Sequence, residues 1–204
     1  MIQVLKSVNH RLLMQMAWHP VREKGSVYLT FDDGPEEGIT EFVLDTLASF
    51  GAEATFFCVG KRVDEYPDLY DRILAMGHSV ANHTYSHCNS WGTPFRRYVE
   101  DVDRCRERVN SVLFRPPWGL LPLPGFLALH RRYRIILWDR NSGDTAPDVD
   151  YGRVDHVLRS LRDGDTVLFH FGNKHGWKTR LILPYFLEGL RKRGLVSRAI
   201  PAEV

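Results

Sequence analysis

The stretch Val27-Tyr28-Leu29-Thr30-Phe31-Asp32-Asp33-Gly34-Pro35 decides how this chain folds. A run rich in β-formers ends in two adjacent carboxylates. Gly34-Pro35 cannot extend a central strand, so Asp32 and Asp33 are expected where strand becomes loop. Neighbouring strand residues point to opposite sides, so the two carboxylates are expected to do different jobs.

Outward from this strand, Ile39, Phe42, Val43, Leu47 and Phe50 recur at helical spacing, and Gly51 follows as a helix end. Residues 54–59 are apolar on both faces, as in a parallel strand covered on both sides. A helix from Pro67 to Gly77 is predicted to bury Leu69, Ile73 and Met76. A short strand at 78–82 precedes a helix opening at Thr93-Pro94, with Phe95, Tyr98, Val102, Cys105 and Val109 as its inner stripe. On that helix Arg96, Arg97, Glu100, Arg104, Glu107 and Arg108 read as a solvated face rather than a binding patch. Further strands are predicted at 112–114, 133–138 and 166–169, with a helix marked by Val154, Val157, Leu158 and Leu161 between the last two. A helix over 179–193 and a closing strand within 195–200 complete the pattern. Alternating strands and helices of these lengths imply βα units and a parallel sheet, with reactive residues at the strands' C-terminal ends. The class is α/β, with six or seven strands, fewer than the eight of a full barrel.

At 204 residues and 44% hydrophobic content the chain fits one domain. We divide it into an N-terminal extension packed on the domain, residues 1–25, and the domain itself, residues 26–204. A formal net charge of +2, with both signs scattered, leaves no nucleic-acid footprint. Cys58, Cys88 and Cys105 form no CxxC pair and no even framework, which leans toward a reducing compartment. The N-terminus has no uninterrupted apolar core, so neither a signal peptide nor a spanning helix is expected. The expected location is cytoplasmic or membrane-peripheral, because Leu5, Val8, Leu12, Leu13 and Met16 recur at near-helical spacing and suit a helix on the domain or on a membrane surface.

The second cluster is Asn82-His83-Thr84-Tyr85-Ser86-His87. Histidines at i and i+4 share a face if the segment is helical, and both rings then reach one ion. Asp33 offers a third, oxygen ligand, and two histidines with one carboxylate leave positions open for water and substrate.

Thr30-Phe31-Asp32-Asp33-Gly34-Pro35, His83-Thr84-Tyr85-Ser86-His87 and Arg115-Pro116-Pro117-Trp118-Gly119, in that order, resemble the first three motifs of the NodB-homology family, the family-four carbohydrate esterases or polysaccharide deacetylases. The resemblance spans residues 26–193. It implies a NodB-like distorted (β/α) barrel and metal-dependent removal of N-acetyl or O-acetyl groups from an acetylated carbohydrate. By this resemblance Asp33, His83 and His87 hold a divalent metal, zinc being usual for such ligands, and Asp32 is the base for the water that attacks the acetyl carbonyl. Arg115 then orients Asp32, and the Trp118 N–H offers an oxyanion donor. Trp118 stands where family members have Tyr. In Leu137-Trp138-Asp139-Arg140-Asn141-Ser142-Gly143-Asp144, Asp144 matches the residue that orients the acid histidine, with Asp139 competing for that role. Thr166-Val167-Leu168-Phe169-His170 places the acid at His170 and a pocket-lining Leu168 beside it, and Phe171 follows where relatives carry Asp. His175 and His156 read as ordinary loop and helix residues, and Trp91 and Trp177 as loop aromatics able to stack on sugars or to pack. A non-sugar amide or imide hydrolase on this scaffold, and a non-catalytic glycan-binding relative, stay open as alternatives.

Overall fold

The opening run forms strand β1 (Ser26–Asp32), with all seven residues buried. The computed structural model describes residues 12–202, so Leu5 and Val8 of the N-terminal pattern lie outside the described residues. A short helix, α1, covers residues 12–16. Then come α2 (Ile39–Ser49), β2 (Ala54–Cys58), α3 (Gly60–Glu65), α4 (Pro67–Ala75), β3 (Ser79–Asn82) and α5 (Phe95–Arg106). The second half holds β4 (Leu113–Phe114), α6 (Leu123–Leu129), β5 (Arg134–Ile135), β6 (Arg140–Asn141), α7 (Tyr151–Ser160), β7 (Thr166–His170), α8 (Asn173–Lys192) and β8 (Val196–Ser197).

Seven strands run in the order β5-β4-β3-β2-β1-β7-β6, all pairs parallel, and β8 pairs with the start of β1 off this path. Among the described residues no pairing closes β5 to β6, so the barrel is a half-barrel. The strand count agrees with the sequence expectation.

The alternation of β1 separates two environments. Val27, Leu29 and Phe31 pack into the large cluster that includes Ile39, Val43 and Leu47 of α2 and Ile182, Leu183 and Phe186 of α8. Tyr28 joins the interior cluster with Phe57, Ala81, Leu113 and Ile136, and Thr30 and Asp32 follow it along the same face. Asp32 is therefore the last inward residue of a buried strand, while Asp33 begins the loop. Leu13 and Ala17 are buried with Tyr98, Phe126 and Leu129, and the Trp18 N–H donates to the Ile135 carbonyl (2.9 Å). Cys58, Cys88 and Cys105 are free thiols.

Two expectations change. The helix predicted from 179 begins at Asn173, so His175 and Trp177 belong to a helix and not to a loop. Its apolar pattern starts late because Lys174 and His175 line an open groove instead of covering the sheet. The strand expected over 133–138 shrinks to β5 because the Ile136 and Leu137 carbonyls accept from the Arg115 side chain (3.3 and 2.9 Å). Arg104 and Arg108 lie on the exposed face, as expected, and there engage the Tyr85 ring and Asp64.

Phe171, at the end of β7, is fully buried against Phe56 (ring centroids 5.1 Å, 70°) and Phe31 (6.5 Å, 79°). It fills the space beneath the Gly34-Pro35 turn, where a Cβ on Gly34 would lie 2.4 Å from the Phe171 ring. Packing thus explains an apolar residue after His170. Gly34→Ala is expected to destabilise the fold by about 1–3 kcal/mol through overpacking, read as a lower urea midpoint with an unchanged slope.

Candidate active site

Asp33 leaves β1 with φ 86°, a left-handed conformation that turns its carboxylate away from the strand's alternation. The turn is anchored on both sides. The Val59 N–H donates to the Gly34 carbonyl (2.9 Å) and the Phe171 N–H to the Asp32 carbonyl (3.0 Å). Asp33 Oδ1 lies 3.0 Å from His87 Nε2 and 3.5 Å from His83 Nε2. One ligand atom from each of Asp33, His83 and His87 lies within 4.8 Å of the others, which makes the trio a group able to hold a metal ion.

The two histidines do not meet on a helix. Residues 83–87 form a loop in which Thr84 (φ 64°) and His87 (φ 54°) are left-handed. The conformation is held from outside. Buried Asn82 donates to the Val102 carbonyl (2.9 Å) and accepts from the Thr84 N–H (2.9 Å). The Gly60 and Lys61 N–H groups donate to the Thr84 and Tyr85 carbonyls (3.0 and 2.8 Å). His83 Nδ1 lies 2.8 Å from the Arg115 carbonyl, which can only accept, so Nδ1 carries a proton; Nε2, facing the trio, donates to Asp33 when the ring is protonated and offers its lone pair when the ring is neutral.

Burial alone would raise the Asp33 pKa. Hydrogen bonds from His83 and His87, with the charges of His83 and His170, outweigh it and hold the carboxyl well below the usual range.

Arg115 is fully buried. Its Nη1 donates to Asp32 Oδ1 (2.7 Å) and Thr30 Oγ1 (2.8 Å), and its guanidinium lies 3.9 Å from the centroid of the Phe57 ring. The other Asp32 oxygen, Oδ2, sits 3.8 Å from His83 Nε2. Burial pulls the Arg115 pKa below its ordinary value, and the charge and hydrogen bond of Asp32 offset only part of this. The pair is a fixed, charge-assisted contact at the floor of the site.

Asp144 and Asp139, both open for one role, occupy opposite ends of β7. Asp144, fully buried, accepts from the His170 backbone N–H (2.6 Å) and the Thr179 hydroxyl (3.2 Å), and its two oxygens lie 3.2 Å from His170 Nδ1. Asp139 instead accepts from the Thr166 N–H (2.9 Å) at the start of the strand. For His170, burial would lower the pKa. The Asp144 hydrogen bond and charge, then Asp33 and Asp32, overcome this and push it up to about 9.

Asp32, Asp33, His87 and His170 line an open groove of about 1310 Å³ that also holds Trp118, Leu168 and Tyr85. Trp118 is left-handed (φ 59°), half exposed, and packs its ring 4.5 Å from that of His87. Leu168 is buried one strand alternation before His170. The loop's dependence on Asp101, described below, left no signal in the sequence because the contact joins a helix to a loop fifteen residues away.

The polysaccharide deacetylase family profile matches residues 19–126, just over half of the chain. The chain is 33% identical over 187 residues to a peptidoglycan-N-acetylglucosamine deacetylase of Bacillus cereus, covering 88% of each protein. It is 32% identical over 201 residues to a chitooligosaccharide deacetylase of Sinorhizobium fredii, covering 86% of this chain and 90% of that one. The crystal structure of a peptidoglycan N-acetylglucosamine deacetylase superposes with a TM-score of 0.80 at 24% identity, over 93% of this chain and 94% of the other, and shares the fold. The chain belongs to the polysaccharide deacetylase family, the NodB-homology carbohydrate esterases, and is a carbohydrate deacetylase.

Proposed function

We propose that this protein hydrolyses acetamide groups on N-acetylglucosamine-containing oligomers, with Asp33, His83 and His87 holding a divalent cation, Asp32 as base and His170 as acid. The observation that carries the reading is the convergence, in one groove, of a two-His, one-carboxylate trio, a carboxylate fixed by a buried arginine, and a histidine paired with a buried aspartate. The donor set fits zinc, since nitrogen and oxygen ligands suit a borderline ion and three protein ligands leave room for water and substrate. The proton position on His83 supports the same fit, because a neutral imidazole binds a cation through its free nitrogen. A cation held there supplies Lewis acidity for the acetyl carbonyl and acidifies water at the site.

The chain's own groups then divide the proton work. Asp32, kept in place by Arg115, takes a proton from the attacking water. His170, its Nδ1 against Asp144, delivers a proton from Nε2 to the leaving amine. The Trp118 N–H is assigned to the oxyanion, and Leu168 to the acetyl methyl. An open groove of about 1310 Å³ exceeds the ~300–1,000 Å³ typical of small-molecule pockets, which supports an oligomer over a single sugar. The relatives' names, peptidoglycan and chitooligosaccharide deacetylase, support N-acetylated glycans as the class to test.

His83→Ala and His87→Ala are expected to lose bound zinc in elemental analysis. Asp32→Asn is expected to keep it while acetate release from chitin oligomers and peptidoglycan fragments falls at least about a hundredfold. Acetate release by Asp32→Asn at the parent rate would remove the base assignment.

The His170–Asp144 pair makes a separate prediction for chelator-treated protein. The folded pKa of about 9 exceeds the ordinary 6.5, so the folded state binds this proton more tightly. That stabilisation is fully present below pH 6.5 and is lost as pH rises through about 9. Asp144→Asn is expected to bring the His170 titration, followed by NMR, down toward 6.5 and to flatten the decline in urea stability across that window.

A further inference from the structure

We infer that Asp101 of α5 is a positioning residue for the metal-binding loop, setting the geometry of His83 and His87 from beneath without touching the ion or the substrate. The inference rests on the metal reading above.

Its basis is an unusual concentration of donors on one carboxylate. Asp101 Oδ1 accepts from the Tyr85 N–H and the Ser86 N–H, each at 2.9 Å, and from the Cys88 thiol at 3.4 Å. Oδ2 accepts from the Ser86 hydroxyl at 2.8 Å. An ionised carboxylate has about four lone-pair sites, so this side chain is committed to the loop. Every one of these donors lies between the histidines or directly after the second.

The loop needs such an anchor for a local reason. With Thr84 and His87 left-handed, residues 84–87 form neither a helical turn nor a strand pairing that would satisfy their own N–H groups. Non-glycine residues in this region persist only where surrounding structure imposes them. Asp101 does for this loop what an N-cap side chain does for a helix: its carboxylate accepts from the Ser86 N–H and shares the Tyr85 N–H with its own backbone carbonyl (3.1 Å). The same face of α5 and the turn after it continue the grip. The Arg104 guanidinium lies 3.5 Å from the centroid of the Tyr85 ring, the Tyr85 hydroxyl donates to Asp64 (2.9 Å), and Arg108 pairs with Asp64. Tyr85 and Asp64 line the groove, so α5 and the turn that follows it fix both the loop backbone and the wall beside it.

The test uses the full chain and zinc competition against a chromophoric chelator, with backbone amide exchange as a second readout. Asp101→Ala is expected to weaken zinc binding by about ten- to a hundredfold, the usual cost of losing an outer partner of a metal site. It is also expected to accelerate exchange at Ser86, more than at Tyr85, whose N–H keeps the Asp101 backbone carbonyl as an acceptor. Asp101→Asn keeps one oxygen for the two N–H donors and is expected to bind zinc within a few-fold of the parent. Ser86→Ala, which removes one donor and leaves the helix intact, is expected to fall between them. Glu100→Ala, on the exposed side of α5, serves as the control and is expected to leave affinity unchanged. Parent-like zinc affinity in Asp101→Ala would overturn the inference while leaving the metal site standing, as would an Asp101→Asn variant as weak as the alanine. A parent chain that binds no zinc would overturn the metal reading itself and this inference with it.

Discussion

A buried guanidinium sets the terms for the centre of this structure. Arg115 enters the barrel interior between strands, with its backbone N–H on the Asn82 carbonyl (3.0 Å) and its side chain on Thr30, Asp32 and the carbonyls of Ile136 and Leu137. A buried charge survives only if paired and hydrogen-bonded. That requirement explains why β1 carries a hydroxyl and a carboxylate on its inward face, and why the segment after β5 leaves the sheet. Removing one member would strand the other, at a cost of about 3–5 kcal/mol. The Arg115 carbonyl also fixes the tautomer of His83, so one residue couples the carboxylate proposed as base to the ring proposed as ligand.

The rest of the site is built at strand ends, where backbone regularity stops. β1, β3 and β7 each deliver chemistry from a terminal residue or the loop just beyond, at Asp32 and Asp33, His83 and His87, and His170. Parallel pairing brings these ends to one side of the half-barrel, with Asp32 opposite His170 in the register. Each tip is then stabilised by a group from elsewhere: Arg115 for Asp32, Asp144 for His170, and Asn82 with Asp101 for the histidine loop. The apolar packing beneath, with Phe31 stacked between Phe56 and Phe169, gives these tips a rigid floor.

Departures from the family pattern fall where packing absorbs them. Phe171 stands after His170 and fills the space under the Gly34-Pro35 turn, while the strongest charge acting on His170 is that of Asp144. Trp118 keeps the left-handed backbone of its loop and lays its ring against His87, so the substitution alters the groove wall and leaves the backbone donor on the loop.

The sequence by itself determined the strand–helix alternation and the inward and outward faces of β1, because apolar periodicity is a local property of the chain; the grouping of Asp32, Asp33, His83, His87, Arg115 and His170 came from the resemblance of their ordered motifs to the family. Tertiary structure alone put Asp144 and not Asp139 beside His170, since β6 lies between the two aspartates and its pairing with β7 sets them at opposite ends of that strand. It also decided that the histidines meet through a left-handed loop and not a helix, and that Asp101, Arg104 and Arg108 grip that loop and its wall. Those contacts join segments distant in sequence through polar groups, and polar residues on a helix face carry the same pattern whether they meet water or another part of the chain.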